Sequence, residues 1–370
     1  MSRACPDCLT RARLLEALAP RIELLADSRT KTRSVRALLA RSNEDLLAVT
    51  GVPEADWGGL LASAAAAARV DAATPRDGGA VCIHAEAYPT ALRDLEDPPH
   101  ALFHTGPLDR LVRLADERAV AVVGTRTPSE QGRRAAADLG RGLAAAGLTV
   151  VSGMALGIDA NSHRGALHGG DGVIAVLASG ADVASPRSNA TLHREIRSVG
   201  TVVSEMPWGA SPWPWLFPAR NRIMAALAEL TVVVEAALPS GSLITATFAG
   251  ELNRTVAAMP GAPGARITAG NNDLLKDGAL MIRDARDVLD ELYGASDSAR
   301  LQVDLARERI ADQPKLVELL DAVEIGASLD DMAARTGLSA RELRAALSRL
   351  ERTGLVRRSG LGSYVACSVA

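Results

Sequence analysis

A series of short apolar runs, each followed by a helical pattern, most strongly limits how residues 107–292 can fold. The runs cover residues 119–124, 148–153, 172–180, 200–205, 230–236 and 255–261. They are rich in Val and continuous rather than alternating, which is typical of strands buried on both faces of a parallel sheet. Strands that alternate with helices predict an α/β fold, namely a doubly wound, Rossmann-like domain with a parallel sheet. Ligands of such sheets bind outside the carboxyl ends of the strands, where this sequence places Gly, Ser, Arg and Asn.

Helical patterns flank this domain on both sides. Residues 1–80 predict a helical domain, in which a helix capped at Ser42 ends in the Thr-Gly-Val-Pro turn of residues 50–53. Such a turn resembles half of a helix-hairpin-helix, as in SAM/helix-hairpin-helix-like domains, whose amides bind a DNA phosphate. An ordinary helical hairpin is the alternative. We assign residues 81–292 to the Rossmann-like domain with its lead-in segment.

The C-terminal part predicts a linker and a third domain. Residues 293–312 are polar with little periodicity and are interpreted as a linker, whereas 313–370 follow the order helix, helix, helix and two short strands. This order is typical of a winged-helix domain. Its third helix carries Arg341 and Arg344, which favour either DNA binding or a solvated face of a protein-binding module.

Length, charge and apolar content narrow the function classes. The chain has 370 residues, too many for one ordinary core, and a net charge of −3, so a nucleic-acid site has to be a local patch. The N-terminus lacks the apolar stretch of a signal peptide, and no run approaches the ~20 apolar residues of a membrane span. We therefore expect a cytoplasmic protein without a membrane partner.

The cysteines are interpreted as reduced thiols. Cys5 and Cys8 form a CxxC pair, while Cys82 and Cys367 stand alone. A zinc site usually needs four ligands, and no second pair lies nearby in the sequence, so we predict no metal site.

Two glycine-bearing turns follow the first two predicted strands. Gly124 allows a tight turn, after which helix amides and the guanidinium of Arg126 suit a phosphate ligand; an ordinary strand–helix turn with a surface arginine is the alternative. Ser152, Gly153 and Gly157 form the second turn. The G-x-G-x-x-G spacing of dinucleotide-binding proteins is absent, so we predict neither NAD nor any other cofactor.

A pair of polar residues follows the second turn. Asp159 and His163 lie four residues apart on one helix face. A structural hydrogen bond is our interpretation and an acid–base pair the alternative, and we predict no catalytic residue.

A Pro-broken, Trp-rich loop precedes Arg220, Asn221 and Arg222. Aromatic rings beside arginines are what single-strand binding needs, but the tryptophans would equally fill a hydrophobic gap or a subunit interface. Further along the chain, the Ser-Gly-Ser segment 240–242 caps a helix and offers donors to an anion.

Taken in order, these motifs resemble the DprA/Smf family of DNA-processing proteins. They are VAVVGTR (120–126), VVSGMALGIDANSHRGAL (150–167), IAVLASGAD (174–182), FPARNRIMAAL (217–227) and VVVEAALPSGSLITA (232–246). The resemblance, which covers roughly residues 88–278, implies a homodimeric protein that binds and protects single-stranded DNA without catalysis. It also implies that the protein loads the recombinase RecA during natural transformation and recombination, while SSB is displaced.

The motifs and the turns together define the predicted DNA-binding residues. They are Gly124, Thr125, Arg126, Ser152, Gly153, Gly157, Arg187, Trp215, Phe217, Arg220, Asn221, Arg222, Ser240, Gly241 and Ser242. Ser185 departs from the family pattern, in which a Tyr usually precedes Pro186, and a ring contact there is not expected.

Two other functions compete with this prediction. The first is a nucleotide-processing enzyme of the lonely-guy-like Rossmann class, whose signature PGGxGTxxE supplies a catalytic Glu; here Thr247 stands at that position. The second is a winged-helix regulator that reads duplex DNA through residues 313–370.

Overall fold

The computed structural model describes residues 4–26, 31–74, 76–308, 310–359 and 363–367. The chain forms two compact units, one up to Ala285 and the other from Arg286 onward. Within the described residues, no helix has both the length and the apolar character needed to cross a membrane.

A nine-stranded sheet, counted over the described residues, lies at the centre of the first unit. Its strands are β1 (Gly78–Cys82), β2 (Ala101–Thr105), β3 (Ala119–Val123), β4 (Thr149–Ser152), β5 (Val173–Val176), β6 (Thr201–Ser204), β7 (Leu230–Val233), β8 (Thr255–Ala258) and β9 (Leu280–Met281). The six predicted strands are confirmed as β3–β8. They are mutually parallel, and every residue of β3–β7 is buried, as continuous apolar runs require.

The strand order explains where a ligand site can form. The order is β1-β2-β6-β5-β4-β3-β7-β8-β9, so the chain builds outward from β3 in one direction and then returns to add β7 on its other side. Val120 pairs with Val150 on one side and with Leu230 on the other. The carboxyl ends of β3 and β7 therefore form a topological switch point, where loops part and leave a crevice.

Helices cover the sheet, and several of them precede its first strand in the chain. They are α1 (Pro6–Leu25), α2 (Lys31–Leu39), α3 (Asn43–Val49), α4 (Glu54–Ala73), α5 (Leu108–Asp116), α6 (Glu130–Ala145), α7 (Ile158–Gly169), α8 (Ala190–Val199), α9 (Leu216–Leu227), α10 (Gly241–Glu251) and α11 (Ala269–Lys276). Short 3₁₀ helices lie at Thr90–Asp94, Arg187–Asn189 and Arg266–Thr268.

The N-terminal helices share a hydrophobic core with the sheet region. Leu14, Leu18 and Leu46 pack in one cluster with Met206 and Trp215. A boundary at residue 80 between two independently folding domains therefore remains a prediction.

The turn between α3 and α4 is an ordinary helical hairpin. Ser42 caps α3 by accepting a 3.1 Å hydrogen bond from the amide of Asp45, as predicted. The amides of Gly51 and Val52 donate to carbonyls of α3, at 3.0 Å and 3.1 Å. Because these donors are used inside the hairpin, the structure does not support a phosphate site there.

The second unit contains the predicted winged helix. Its elements are α12 (Ala285–Tyr293), which begins at the unit boundary, α13 (Ala295–Glu308), α14 (Pro314–Glu324), α15 (Leu329–Thr336), α16 (Ala340–Arg352), β10 (Val356–Arg358) and β11 (Tyr364–Ala366). Capping boxes at Ser328 and Ser339 start α15 and α16, and Gly337 ends α15 in the left-handed region with φ 64°.

The interpretation of residues 293–312 as a linker is wrong. Most of the segment is helix α13, and Ala306 and Ile310 are buried in the same cluster as Leu319 and Leu347 of the winged helix. The segment is mostly polar, but its few apolar side chains recur at helical spacing. They are enough to pack the helix against the winged-helix core.

Candidate nucleic-acid interface

The turns after β3, β4 and β7 are hydrogen-bonded to one another at the switch point. The amide of Thr125 donates to the carbonyl of Glu235 at 2.7 Å, and the amide of Ile158 donates to the carbonyl of Thr125 at 3.2 Å. Gly157 has φ 82°, and a Cβ there would lie 2.3 Å from the carbonyl oxygen of Thr125. Only glycine allows the two turns to approach this closely.

Arg126 lies exposed above these turns. Its Cζ atom is 5.1 Å from the ring centroid of Phe217, at cation–π distance. Arg187 is also exposed, on the 3₁₀ helix after β5, where Asn189 donates a 2.9 Å hydrogen bond to the carbonyl of Met154. Within the described residues neither guanidinium has an ion pair, so both remain available to an anion.

Arg220 is buried, and its positive charge interacts with that of the nearby Arg126. Its Nη1 donates to the carbonyl of Gly153 at 2.7 Å and to that of Val176, and its Nη2 lies 3.9 Å from Asp159. Burial lowers the pKa of Arg220 to about 10, which Asp159 partly opposes, so the side chain is still charged at neutral pH. Arg220 therefore adds positive potential from the interior rather than an open contact.

Gly153 is required by that arrangement. A Cβ there would lie 2.1 Å from the guanidinium nitrogens of Arg220. The glycine predicted to approach a ligand instead makes room for the arginine.

Arg222 was predicted to contact DNA, and the structure contradicts this. Its side chain is 0% exposed and faces away from Arg220, because residues two apart on a helix point in opposite directions. Nη2 and Nη1 contact the Glu205 carboxylate at 2.7 Å and 3.1 Å, and Nε lies 2.9 Å from Oδ2 of Asp97. Burial lowers the pKa of Arg222, but these two carboxylates outweigh it and the pKa is raised overall.

The Trp-rich loop fills a hydrophobic gap. Trp215 is 0% exposed, donates its indole N–H to the carbonyl of Ala19 at 3.2 Å, and packs in the core shared with α1. Trp208 is also buried, and Trp213 packs half-buried against that core. The prediction that Trp215 binds DNA is wrong. Of the two roles considered for the tryptophans, base stacking and filling a hydrophobic gap, Trp215 has the second. Phe217 stays half-buried beneath Arg126.

Helix amides at two of the turns are already engaged, contrary to the expectation that they point at a ligand. Ser129 caps α6 by accepting from the amide of Gly132 at 2.9 Å, and the Glu235 carboxylate accepts from the amide and hydroxyl of Ser129. After β4, the Asp159 carboxylate accepts from backbone amides of the turn. Ser152 is also unavailable, because its buried hydroxyl donates to the carbonyl of Val122 at 2.6 Å.

The start of α10 is more open. Ser240 and Ser242 bond to each other through their hydroxyls at 2.8 Å, and Ser240 caps the helix. Asn221 donates to the carbonyl of Gly241 at 3.2 Å, which ties α9 to this turn. Ser242 and Asn221 are buried, while Ser240 and Gly241 face solvent in part or fully.

Asp159 and His163 do not form an acid–base pair open to substrate. Both are buried, and Asp159 lies beside Arg220. Burial raises the pKa of the Asp159 carboxyl, which Arg220 opposes, and burial lowers the pKa of His163 to about 3. His163 is therefore neutral at physiological pH. The predicted hydrogen bond to Asp159 is absent from the described residues, in which both ring nitrogens of His163 are buried without a hydrogen-bond partner.

Sequence reasoning missed the acidic partners of this region. Glu235 accepts hydrogen bonds from Ser129, the N-cap residue of α6, and Asp97 and Glu205 neutralise Arg222. No local signal marks them, because Arg222 and Asp97 are 125 residues apart in the sequence.

The premise behind the prediction of no metal site is also wrong. The fold places Cys82 and His84 beside Cys5 and Cys8, so four ligand groups do meet.

Two hollows lie elsewhere in the first unit. One, of about 690 Å³, is lined among others by Asp71, Arg76, His104 and Trp208, and another, of about 980 Å³, is lined among others by Arg36 and Phe248. None of the predicted DNA-binding residues lines either of these two hollows. The candidate interface therefore lies outside both of them.

Fold and site together define a Rossmann-like α/β protein with a C-terminal winged helix and a cationic patch at the switch point of its sheet. Residues 79–293 match the family model described as DNA recombination-mediator protein A, and residues 303–360 match the DprA winged helix domain. The chain belongs to the DprA/Smf family of DNA-processing proteins.

Individual relatives agree with this assignment. Protein Smf of Synechocystis is 34% identical over 299 residues, which cover 73% of this chain and 75% of the relative. The crystal structure of DNA processing protein A from Streptococcus pneumoniae is similar with a TM-score of 0.59 and 31% identity, over 75% of this chain and 95% of that one. DNA processing protein A from Helicobacter pylori, whose structure describes a single-stranded DNA binding mode, is similar with a TM-score of 0.52 and 29% identity, over 58% and 95% of the two chains.

Proposed function

We propose that this chain binds single-stranded DNA, without catalysing a reaction, at an open area that we call the strand-end surface. It comprises the exposed or half-exposed residues Thr125, Arg126, Arg187, Ser240 and Gly241. Its backbone positions are fixed by the hydrogen bonds that join the turns, so little ordering is required when a ligand binds.

The observation that carries the proposal is the exposure of the Arg126 guanidinium. This group is held over Phe217 and has no ion pair in the described part of the chain. Arg220 adds a second positive charge close to it, while the nearby carboxylates of Asp159 and Glu235 are buried and satisfied. A planar guanidinium in this setting suits a phosphate group.

Exposed apolar side chains in the neighbouring turns favour single strands over a duplex. Leu156 and Leu238, in the turns after β4 and β7, are 46% and 52% exposed. The bases of a single strand can lie against such side chains, whereas in a duplex they are stacked and paired. The single-stranded DNA binding described for the relative from Helicobacter pylori supports the same choice.

The absence of catalysis rests on the polar groups near the surface. Thr247 stands where lonely-guy enzymes have their catalytic Glu, and its hydroxyl donates to the carbonyl of Leu243 at 3.0 Å. Asp159, His163 and Glu235 are buried. Free base released from a nucleoside monophosphate by the purified protein would contradict this part of the proposal.

The family resemblance supports a finer role. We propose that the chain acts in the cytoplasm as a homodimer, protects incoming DNA during natural transformation, and transfers it to RecA while SSB is displaced. The mass of the full-length protein in solution tests the dimer. Formation of RecA filaments on SSB-coated single strands, with and without the protein, tests the transfer.

The central experiment measures binding of labelled single-stranded and duplex oligonucleotides to the full-length chain at several salt concentrations. Arg126→Ala should weaken single-strand binding roughly tenfold, since a hydrogen bond to a charged group contributes about 1.5–3 kcal/mol. It should also flatten the log–log salt dependence by about 0.7 for one lost phosphate contact. Arg141→Ala is the matched control, because Arg141 is an exposed arginine of α6 that pairs with Asp138.

Two results would overturn the proposal. Unchanged single-strand affinity in Arg126→Ala would remove the strand-end surface as the binding site. A preference for duplex DNA that is lost in Arg344→Ala would favour the winged helix, where Arg344 is exposed on α16.

A further inference from the structure

The start of α1 and the end of β1 bring together four groups that are typical zinc ligands. Cys5, Cys8, Cys82 and His84 each offer one ligand atom, and these atoms all lie within 4.8 Å of one another. The cysteines are free rather than disulfide-bonded. A set of three sulfurs and one imidazole nitrogen is one of the common structural zinc sites in proteins.

The distances within this cluster match a tetrahedral ion. The Sγ atoms of Cys5 and Cys8 lie 3.5 Å and 3.4 Å from Nδ1 of His84. With Zn–S bonds of about 2.3 Å and a Zn–N bond of about 2.0 Å, tetrahedral geometry holds a sulfur and a nitrogen roughly 3.5 Å apart. The side chains therefore need little movement to surround an ion.

Local structure fixes the two cysteines of the CxxC pair. Cys5 is the N-cap residue of α1 and Pro6 begins the helix, so Cys8 lies in its first turn on the same side as Cys5. The positive end of the helix dipole favours thiolates at this position. The amide of Cys5 lies 3.3 Å from Sγ of Cys82 and donates to it, a contact that a metal-bound thiolate commonly accepts.

Cys82 and His84 lie at the end of β1 and in the turn that follows it, and hydrogen bonds hold this turn in place. The carbonyls of Ile83 and Ala85, on either side of His84, accept hydrogen bonds from Arg93 at 2.6 Å and 2.8 Å. Cys82 ends β1 and pairs with Ala101 of β2. The imidazole is thus positioned by backbone contacts that do not depend on the ion.

We propose that Cys5, Cys8, Cys82 and His84 bind one structural zinc ion that joins the N-terminus of α1 to the edge of the sheet. Near its other end, α1 supports the Trp-rich loop, since Ala19 accepts from the indole of Trp215 and Glu23 accepts from its amide at 2.9 Å. The ion fixes the helix against which the loop leading to Arg220 packs. This role is separate from the proposed DNA binding and does not rest on it.

The test is the zinc content of the full-length protein, purified under reducing conditions and measured by elemental analysis. The wild type should hold one zinc ion per chain, whereas Cys8→Ser and Cys82→Ser should lose it. Cys367→Ser should keep it, because Cys367 is a free cysteine of the second unit and is the matched control.

Cobalt substitution keeps the proposal testable if the serine variants fold poorly. Wild-type protein loaded with Co²⁺ should show the strong visible bands of a tetrahedral site and thiolate-to-cobalt charge transfer. His84→Cys should retain the metal with stronger charge transfer, as expected for a fourth thiolate.

A chelator provides a readout of the structural role. Stripping the metal should lower the unfolding midpoint of the wild type and leave that of Cys8→Ser unchanged. A wild-type protein that stays metal-free after zinc is added, that carries a Cys5–Cys8 disulfide instead, or that shows an iron–sulfur spectrum would overturn the proposal.

Discussion

Two layers at the carboxyl edge of the same sheet use similar residues for opposite purposes. The strand-end surface presents Arg126 and Arg187 to solvent without ion pairs in the described chain. A second set of residues near the strand ends, which we call the buried layer, is shielded from solvent and comprises Asp159, His163, Trp215, Arg220 and Arg222. There each guanidinium is surrounded by carbonyls and carboxylates, and the tryptophan is part of the core.

The comparison shows that an arginine near a strand end is not by itself a phosphate ligand. Arg222 and Arg126 were both predicted to bind DNA, yet one is fully buried with two acidic partners and the other is open. When a buried arginine loses its carboxylate partners, or the carboxylates lose the arginine, an uncompensated charge is left in the protein interior, which solvates it poorly. Mutations in the buried layer should therefore lower the stability of the fold, whereas mutations in the strand-end surface should weaken DNA binding.

The largest effect is expected from Arg222→Ala. Removing the guanidinium leaves Glu205 buried without an ion pair in the described residues and leaves Asp97 with Arg36 as its remaining partner, which should lower the free energy of unfolding by about 3–5 kcal/mol. Urea unfolding followed by tryptophan fluorescence measures this, because Trp57, Trp208, Trp213 and Trp215 all lie in the first unit.

Arg126→Ala is the matched substitution in the other layer. An exposed side chain without an ion pair should change stability by no more than about 0.5 kcal/mol. If Arg222→Ala were as stable as the wild type and instead lost only DNA affinity, the distinction between the two layers would fail.

A smaller effect should appear in the pH dependence of stability through His163. Its pKa is about 3 in the folded protein against an ordinary 6.5, so the unfolded chain binds the proton first. Stability should be fully present above pH 6.5 and fall as the pH drops toward 3, by up to about 1.4 kcal/mol per pH unit. His163→Gln should flatten this slope between about pH 6 and pH 4.

The slope, not the absolute stability, is the readout, since the substitution itself alters packing. His104 and His193, whose pKa values burial also lowers, remain in both proteins and cancel in the comparison. His168→Gln, at an exposed position of the same helix, is the control. An unchanged slope in His163→Gln would show that the imidazole is not buried as described.

The smallest effect is expected from Arg187→Ala, at the edge of the strand-end surface. Arg187 follows β5 rather than the switch-point strands, so its loss should weaken single-strand binding less than the loss of Arg126. One lost phosphate contact should flatten the salt dependence by about 0.7, equally for different base sequences. Titration with oligonucleotides of two compositions measures this. A loss confined to one composition would indicate base recognition instead.

The fold was largely predictable because its signals are local. Six continuous apolar runs became β3–β8, and Ser42 caps α3 as expected. The antiparallel strands β1 and β2 were missed; they join the sheet through the pairing of β2 with β6, which lies far along the chain. The helix α13 was missed because its few buried residues give a weak pattern.

The candidate site was predictable only in outline, for a related reason. Chain order and turn residues located it at the carboxyl ends of the strands, and Arg126 is exposed there. Burial of Trp215 depends on α1, and the fate of Arg222 depends on Asp97 and Glu205. Nothing within a few residues of either position indicates these contacts.

By itself, the sequence determined the order of the parallel strands β3–β8, the family, and the edge of the sheet where chemistry is concentrated, because periodicity, caps and turns act over a few residues. Only the tertiary structure decided which arginines meet water and which meet carboxylates. It also decided that cysteines and a histidine some 77 residues apart share one small space. Burial and pairing depend on what the rest of the chain brings to a position, and no single segment contains that information.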